Sequence, residues 1–114
     1  MSGELSELNG FTIDNTITRV GHDFYRYLGE YRTLNYSNSS SYNLVVHERP
    51  SARWGSLIWV TENRKTVYRQ FIQPRSSDFK ALAKKAARQI HDSISQKKIT
   101  SLFADRFDLE TDEF

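Results

Sequence analysis

The chain has 114 residues, enough for one domain with a single modest core. Apolar residues make up only 38%, aromatics at 13% supply much of the core material, and the absence of cysteine excludes disulfides, cysteine-bound zinc and thiol catalysis. A net charge of +2 is too small to argue for a polyanion partner, and no apolar run approaches the roughly 20 residues of a membrane span.

Residues 1–12 are polar, contain Gly3 and Gly10, and read as a mobile N-terminal arm. Asp14 or Asn15 offers an N-cap. Ile17, Val20, Phe24, Tyr27, Leu28, Tyr31 and Leu34 then recur at spacings of three and four, one stripe of an amphipathic helix with Arg19, Asp23, Arg26 and Glu30 mainly outside it. Gly21 lies inside this helix, either admitting a close neighbour or merely tolerated at about 1 kcal/mol relative to alanine.

A Ser/Asn-rich linker follows from Asn35 to Ser41. Tyr42 to Arg49 reads as a strand with Tyr42, Leu44 and Val46 on one face and Val45 and His47 on the other. Pro50 lacks a backbone donor, so pairing is expected to stop there. Leu57 to Thr61 is a second strand, Glu62 to Lys65 a turn centred on Asn63, and Thr66 to Ile72 a third strand. Pro74 ends the sheet. Ser77 or Asp78 caps a second helix whose stripe is Phe79, Leu82, Ala83, Ala86, Ile90 and Ile94.

The expected fold is α+β: a three-stranded antiparallel sheet, four-stranded if the arm adds a strand, with two flanking amphipathic helices in the order α-β-β-β-α. The domain spans residues 13–98, and residues 99–114 read as an acidic, flexible tail. From Arg75 to Lys98 there are seven basic residues against Asp78 and Asp92, whereas Asp105, Asp108, Glu110, Asp112 and Glu113 face only Arg106 beyond. The basic face and acidic tail are suited to attract each other or two different partners.

Catalytic constellations are missing from the pattern. His22, His47 and His91 are far apart and lack ligand spacing, so no metal site is expected. His22 and Asp23 point about 100° apart on a helix, and His22 reads as a boundary residue bonded to nearby backbone. There is no phosphate-cradling glycine loop and no nucleophile elbow. Glu48, beside Arg49, reads as a surface charge. The chain is therefore expected to bind rather than catalyse, without a cofactor.

Two stretches carry the binding readings. Between the breakers Pro50 and Gly55 sit Arg53 and Trp54, with Arg49 just before; ring and guanidinium are the commonest interface anchors, though Trp54 folded back as a core plug is an equal alternative. Lys80-Ala81-Leu82-Ala83-Lys84-Lys85-Ala86-Ala87-Arg88 resembles the phosphate-contacting helix of double-stranded RNA-binding domains, which gives an alternative function.

A wider resemblance lies in Gly21-His22-Asp23-Phe24-Tyr25-Arg26, Glu48-Arg49-Pro50-Ser51-Ala52-Arg53-Trp54-Gly55-Ser56, the Asp78-Phe79 helix start and the closing Asp112-Glu113-Phe114. In order and spacing these resemble the CsgE family of curli assembly and transport components. The resemblance implies a periplasmic adaptor of curli (type VIII) secretion, its leader removed. Such adaptors form a ring-shaped homo-oligomer, a nonamer, that caps the CsgG outer-membrane channel. They direct the amyloid subunit CsgA to it and restrain premature polymerisation, with no nucleic acid and no membrane insertion. Trp54, Arg49 and Arg53 are the candidate self-association or client surface, Pro50 and Gly55 shape the elbow, and Asp112, Glu113 and Phe114 are candidate channel or inter-subunit contacts. The chain departs from the family pattern in a longer linker near Ser39-Ser40-Ser41 and a more basic helix at Lys84-Lys85.

Overall fold

A computed structural model describes residues 10–36, 42–73 and 78–112, with backbone alone for residue 98 and residues 101–112. Most of the arm, most of the Ser/Asn-rich linker, and Pro74 and Ser77 lie outside the described residues. The first element is a strand, β1 (Thr12–Asn15). Behind it the Asp14 carboxylate accepts hydrogen bonds from the Thr16 amide (3.0 Å) and hydroxyl (2.5 Å), which turns the chain out of the strand. Helix α1 (Arg19–Tyr36) then starts on Thr18, whose hydroxyl accepts from the Gly21 amide at 3.3 Å. Thr18 is thus the cap, in place of Asp14 or Asn15, because both of those are committed to strand pairing.

The remaining elements are β2 (Leu44–Ser51), β3 (Gly55–Glu62), β4 (Lys65–Ile72) and α2 (Phe79–Asp112). The sheet has the order β1-β2-β3-β4. The fourth strand comes from the end of the expected arm, and it lies parallel to β2 because α1 carries the chain back across the sheet before β2 begins. The other pairings are antiparallel. The element order is β-α-β-β-β-α, and the class is α+β.

Asn63 (φ 51°) and Arg64 (φ 68°) both take the left-handed conformation that a two-residue hairpin loop requires. Pro50 does not end the pairing. It sits opposite Ser56 in the β2–β3 ladder, and it is tolerated because β1 stops at the position facing His47, leaving that stretch of β2 at a sheet edge.

Both helices pack on one face of the sheet and against each other. That face buries Leu44 and Val46 from β2, Ile58 and Val60 from β3 and Ile72 from β4 against Phe24 and Leu28 of α1. Ala83, Ala86 and Ala87 keep α2 close, with Ile90 and Ile94 completing the core. Ile17 and Leu34, expected in the apolar stripe, are exposed; the buried line of α1 runs instead through Gly21, Phe24, Leu28 and Arg32. Asp78 caps α2, accepting from the Ala81 amide at 3.2 Å. The helix expected to stop near residue 98 continues to Asp112.

Arg32 is the unexpected member of this core, 2% exposed. Its guanidinium lies 4.7 Å from the Tyr42 ring centroid and donates to the Tyr42 carbonyl (2.8 Å), the Phe11 carbonyl (2.9 Å) and the Thr12 hydroxyl (2.7 Å). Burial pushes its pKa down, yet guanidinium stays charged under ordinary conditions. One side chain therefore ties the start of both parallel strands to α1.

Gly29 also faces β1, but an added Cβ would meet only Thr12, its Cβ at 3.7 Å, an ordinary contact. Gly29→Ala is expected to stabilise the protein by up to about 1 kcal/mol through helix propensity alone. A urea titration measures this; a loss of stability would show that the α1–β1 seam is tighter than described.

Candidate functional site

The hairpin joining β2 to β3 is closed by the Ser51–Gly55 pair, leaving Ala52, Arg53 and Trp54 as its loop. The Ser51 hydroxyl accepts from the amides of Trp54 (3.2 Å) and Arg53 (3.4 Å) and so fixes the loop from inside. Gly55 has φ 92°, and a Cβ there would lie 2.4 Å from the Ile72 carbonyl oxygen. The end of β4, paired beside it at Ser56–Ile72, lies in contact with the glycine.

This geometry throws Trp54 outward. It is 68% exposed, which removes the core-plug reading. With Gln70, Phe71, Gln73 and Leu82 it lines a groove of about 460 Å³ between the hairpin, the end of β4 and the start of α2. Phe71 is also exposed. Arg49 pairs with Leu57, which pairs with Phe71, so these three form one row on the sheet face opposite the helices. The next row is Asn15, His47, Trp59 and Arg69, with the His47 and Trp59 rings stacked at 5.1 Å.

The site is thus an open aromatic and cationic sheet face ending in an exposed tryptophan. Arg49 and Arg53 are both exposed. Among the described residues, guanidinium–ring contacts occur at Arg26–Tyr27 and Arg32–Tyr42, not at Trp54. Arg49 and Arg53 thus share the hairpin end with Trp54 without stacking on its ring.

Behind the site sits Glu48, which is 5% exposed and not a surface charge. One carboxylate oxygen accepts from the amides of Ile17 and Thr18, each at 2.8 Å, ahead of the α1 N-terminus. The other accepts from the hydroxyls of Thr18 and Ser56, the latter at 2.5 Å. An anion at a helix N-terminus is favoured by free amides and by the helix dipole. Gly21 leaves the room: a Cβ there would stand 2.3 Å from the Glu48 Oε1. The carboxylate joins both arms of the hairpin to the start of α1.

Burial raises the Glu48 pKa, but the hydrogen bonds from Ser56, Thr18 and Ile17 outweigh it and hold the group below its ordinary value. Asp14 is likewise lowered, burial being outweighed by Thr16 and by His22, whose Nδ1 lies 2.7 Å from the carboxylate. The sign follows from linkage. Depressed carboxylates contribute stability that is complete above their unfolded pKa and is lost as pH falls through the folded one. The urea midpoint is therefore expected to drop between about pH 5 and about pH 3, and to drop less in Glu48→Gln. Equal slopes in the two proteins would show that Glu48 is not depressed.

The three histidines serve three separate contacts. His22 meets Asp14, His47 stacks on Trp59, and His91 stacks on Tyr36 (4.1 Å) while sharing a hydrogen bond with the Tyr42 hydroxyl (2.8 Å). No group of three metal-ligating side chains converges among the described residues. No described helix is long and apolar enough to cross a membrane.

The structure does not bring all the candidate residues together. Trp54, Arg49, Pro50, Arg53 and Gly55 share the hairpin end. Asp112 lies 30 residues beyond Leu82 on α2, about 45 Å along the helix. Glu113 and Phe114 lie outside the described residues.

The family described as "Curli assembly protein CsgE" matches residues 8–113. The "Curli production assembly/transport component CsgE" of Escherichia coli O6:H1 (strain CFT073) is 34% identical over 108 residues, covering 95% of this chain and 81% of that protein. The protein of the same description from Escherichia coli O157:H7 gives the same figures. The one from Salmonella typhi is 33% identical, covering 95% of this chain and 79% of its own length. With hairpin, helix starts and nearly the whole length inside the match, this chain belongs to the CsgE family of curli assembly proteins.

Proposed function

We propose that this protein is a periplasmic adaptor of curli secretion. It self-associates into a ring, a nonamer, caps the periplasmic mouth of a CsgG-type outer-membrane channel, and delivers CsgA-type curlin subunits to it while restraining their premature polymerisation. The observation that carries the reading is the exposed Trp54 at the tip of a built hairpin, lining one groove with Phe71, on a hairpin that also exposes Arg49 and Arg53. Grouped large rings left in water mark a surface that a partner covers, and aromatic and arginine side chains dominate interface energetics.

The mechanism is binding and confinement, without catalysis, cofactor or membrane insertion. The aromatic face covers β-prone client segments that otherwise template cross-β growth. A cap over the channel denies the unfolded client its conformational entropy, so outward escape is favoured. Pro50 and Gly55 hold the hairpin in shape, and Asp112, Glu113 and Phe114 supply contacts to the channel or a neighbour.

Mixing the protein with detergent-solubilised CsgG-type channel tests this. Size-exclusion chromatography with mass detection is expected to show co-elution at a defined stoichiometry, lost in Trp54→Ala while the melting temperature stays within a few degrees. Curlin polymerisation is expected to lag with the unaltered protein and not with that variant. Absence of a complex at every salt concentration overturns the reading. Salt-dependent binding of double-stranded RNA in its place would make the lysines of α2 an RNA surface.

A further inference from the structure

Beyond its Asp78 cap, helix α2 is polarised in charge against its own dipole. Its first turn carries Lys80 and no acidic side chain, and its last turn carries Glu110 and Asp112 and no basic one. A helix on its own favours the opposite order at both ends. Lys80, Lys84, Lys85 and Arg88 are exposed. The ion pairs among the described residues join Arg19 and Arg26 to Asp23 and His22 to Asp14, so none of these neutralises the basic half.

The acidic half cannot reach the basic half of the same molecule. Lys84 and Asp108 are 24 residues apart on one unbroken helix, about 36 Å. The molecule's long axis of 58 Å leaves room for that helix at full length. Charges so far apart are screened from each other at physiological salt, where the Debye length is about 8 Å. Among the described side chains, core packing on α2 ends at Ile94, and the helix runs on for five further turns to Asp112, about 27 Å.

We infer that the acidic end of α2, from Asp105 to Asp112, docks on the Lys80–Arg88 face of α2 in a second copy of this chain. The contact is head-to-tail: each copy offers a basic face to one neighbour and an acidic end to the next. Repeated, it closes a ring or runs on as a filament. This deepens the self-association put forward above and rests on it.

Charge reversal tests the contact directly. One variant carries Lys80→Glu, Lys84→Glu and Lys85→Glu; another carries Asp105→Lys, Asp108→Lys and Asp112→Lys, which recur at the i, i+3, i+7 spacing of one helix side. Arg88 is left in place. Each variant alone is expected to self-associate at least about tenfold more weakly by analytical ultracentrifugation, with unchanged circular dichroism. An equimolar mixture is expected to regain head-to-tail association, because each reversed surface then meets its complement, but as open chains or even-numbered rings, since the two variants must alternate and nine positions cannot. A single chain carrying all six changes is expected to assemble as the unaltered protein does. If the unaltered chain assembles and either triple variant assembles equally well, or the mixture and the six-change chain stay apart, this inference falls and the adaptor reading stands. An unaltered chain that is monomeric at every concentration and salt overturns both.

Discussion

Gly21→Ala is expected to destabilise the protein by about 2–3 kcal/mol, although alanine is the better helix former. The new methyl would stand 2.3 Å from the Glu48 Oε1 and force the carboxylate off the amides of Ile17 and Thr18. Those are charge-assisted bonds at a helix N-terminus, each worth more than a neutral one. Glu48→Ala is expected to cost about 3 kcal/mol, since the buried Ser56 hydroxyl and the helix-start donors lose their acceptor together. The double variant is the discriminating case. Without the carboxylate the methyl added at Gly21 meets chiefly the Thr16 Cβ at 3.0 Å, and its helix propensity is recovered. The two losses should therefore fall short of additivity by about 2 kcal/mol in urea unfolding. Additivity within about 0.5 kcal/mol would mean that Gly21 does not exist to admit Glu48.

Gly55→Ala is the second large effect, expected at about 3–4 kcal/mol. Two penalties combine. A side chain at φ 92° is strained wherever it sits, and the Cβ would lie 2.4 Å from the backbone oxygen of Ile72, which has no rotamer to turn away. The end of β4 must move, and the groove between Trp54, Phe71 and Leu82 moves with it. Gly55→Asn separates the two causes, because asparagine tolerates positive φ but brings the same Cβ. It is expected to recover less than half of the alanine loss by thermal unfolding. Full recovery would assign the effect to φ and dismiss the close contact.

The strands, both helices and the hairpin residues are legible in the sequence because each leaves a local mark: alternation in Leu44 to Val46, a three-four stripe from Val20 to Leu28, and the breaker Gly55, whereas Pro50 reads as a strand end and stays inside the ladder. Glu48 reads as a surface charge although its true signal is present. It follows Leu44 and Val46 at intervals of two, so the strand places it on their buried face. The adjacent Arg49 points to a surface pair, and only the tertiary approach of the α1 N-terminus shows what the carboxylate holds. Arg32 follows Phe24 and Leu28 at intervals of four, yet an arginine in that line reads as polar until Tyr42 and the Phe11 carbonyl surround it. The parallel sense of β1 has no local mark at all. Four residues carry little alternation, and their partner lies 32 positions away.

That separation gives the domain an order of assembly. β2, β3 and β4 are joined by loops of three and two residues and can zip outward from their turns with little loop entropy. β1 can pair only after α1 has formed and folded across the sheet. It adds four residues to an edge, fastened by the Phe11 carbonyl to the Leu44 amide and by Arg32. The first strand in the chain is thus expected to be the last to pair and the first to detach. Deuterium uptake at Leu44 follows its detachment, while amides in the middle of β3 report unfolding of the whole.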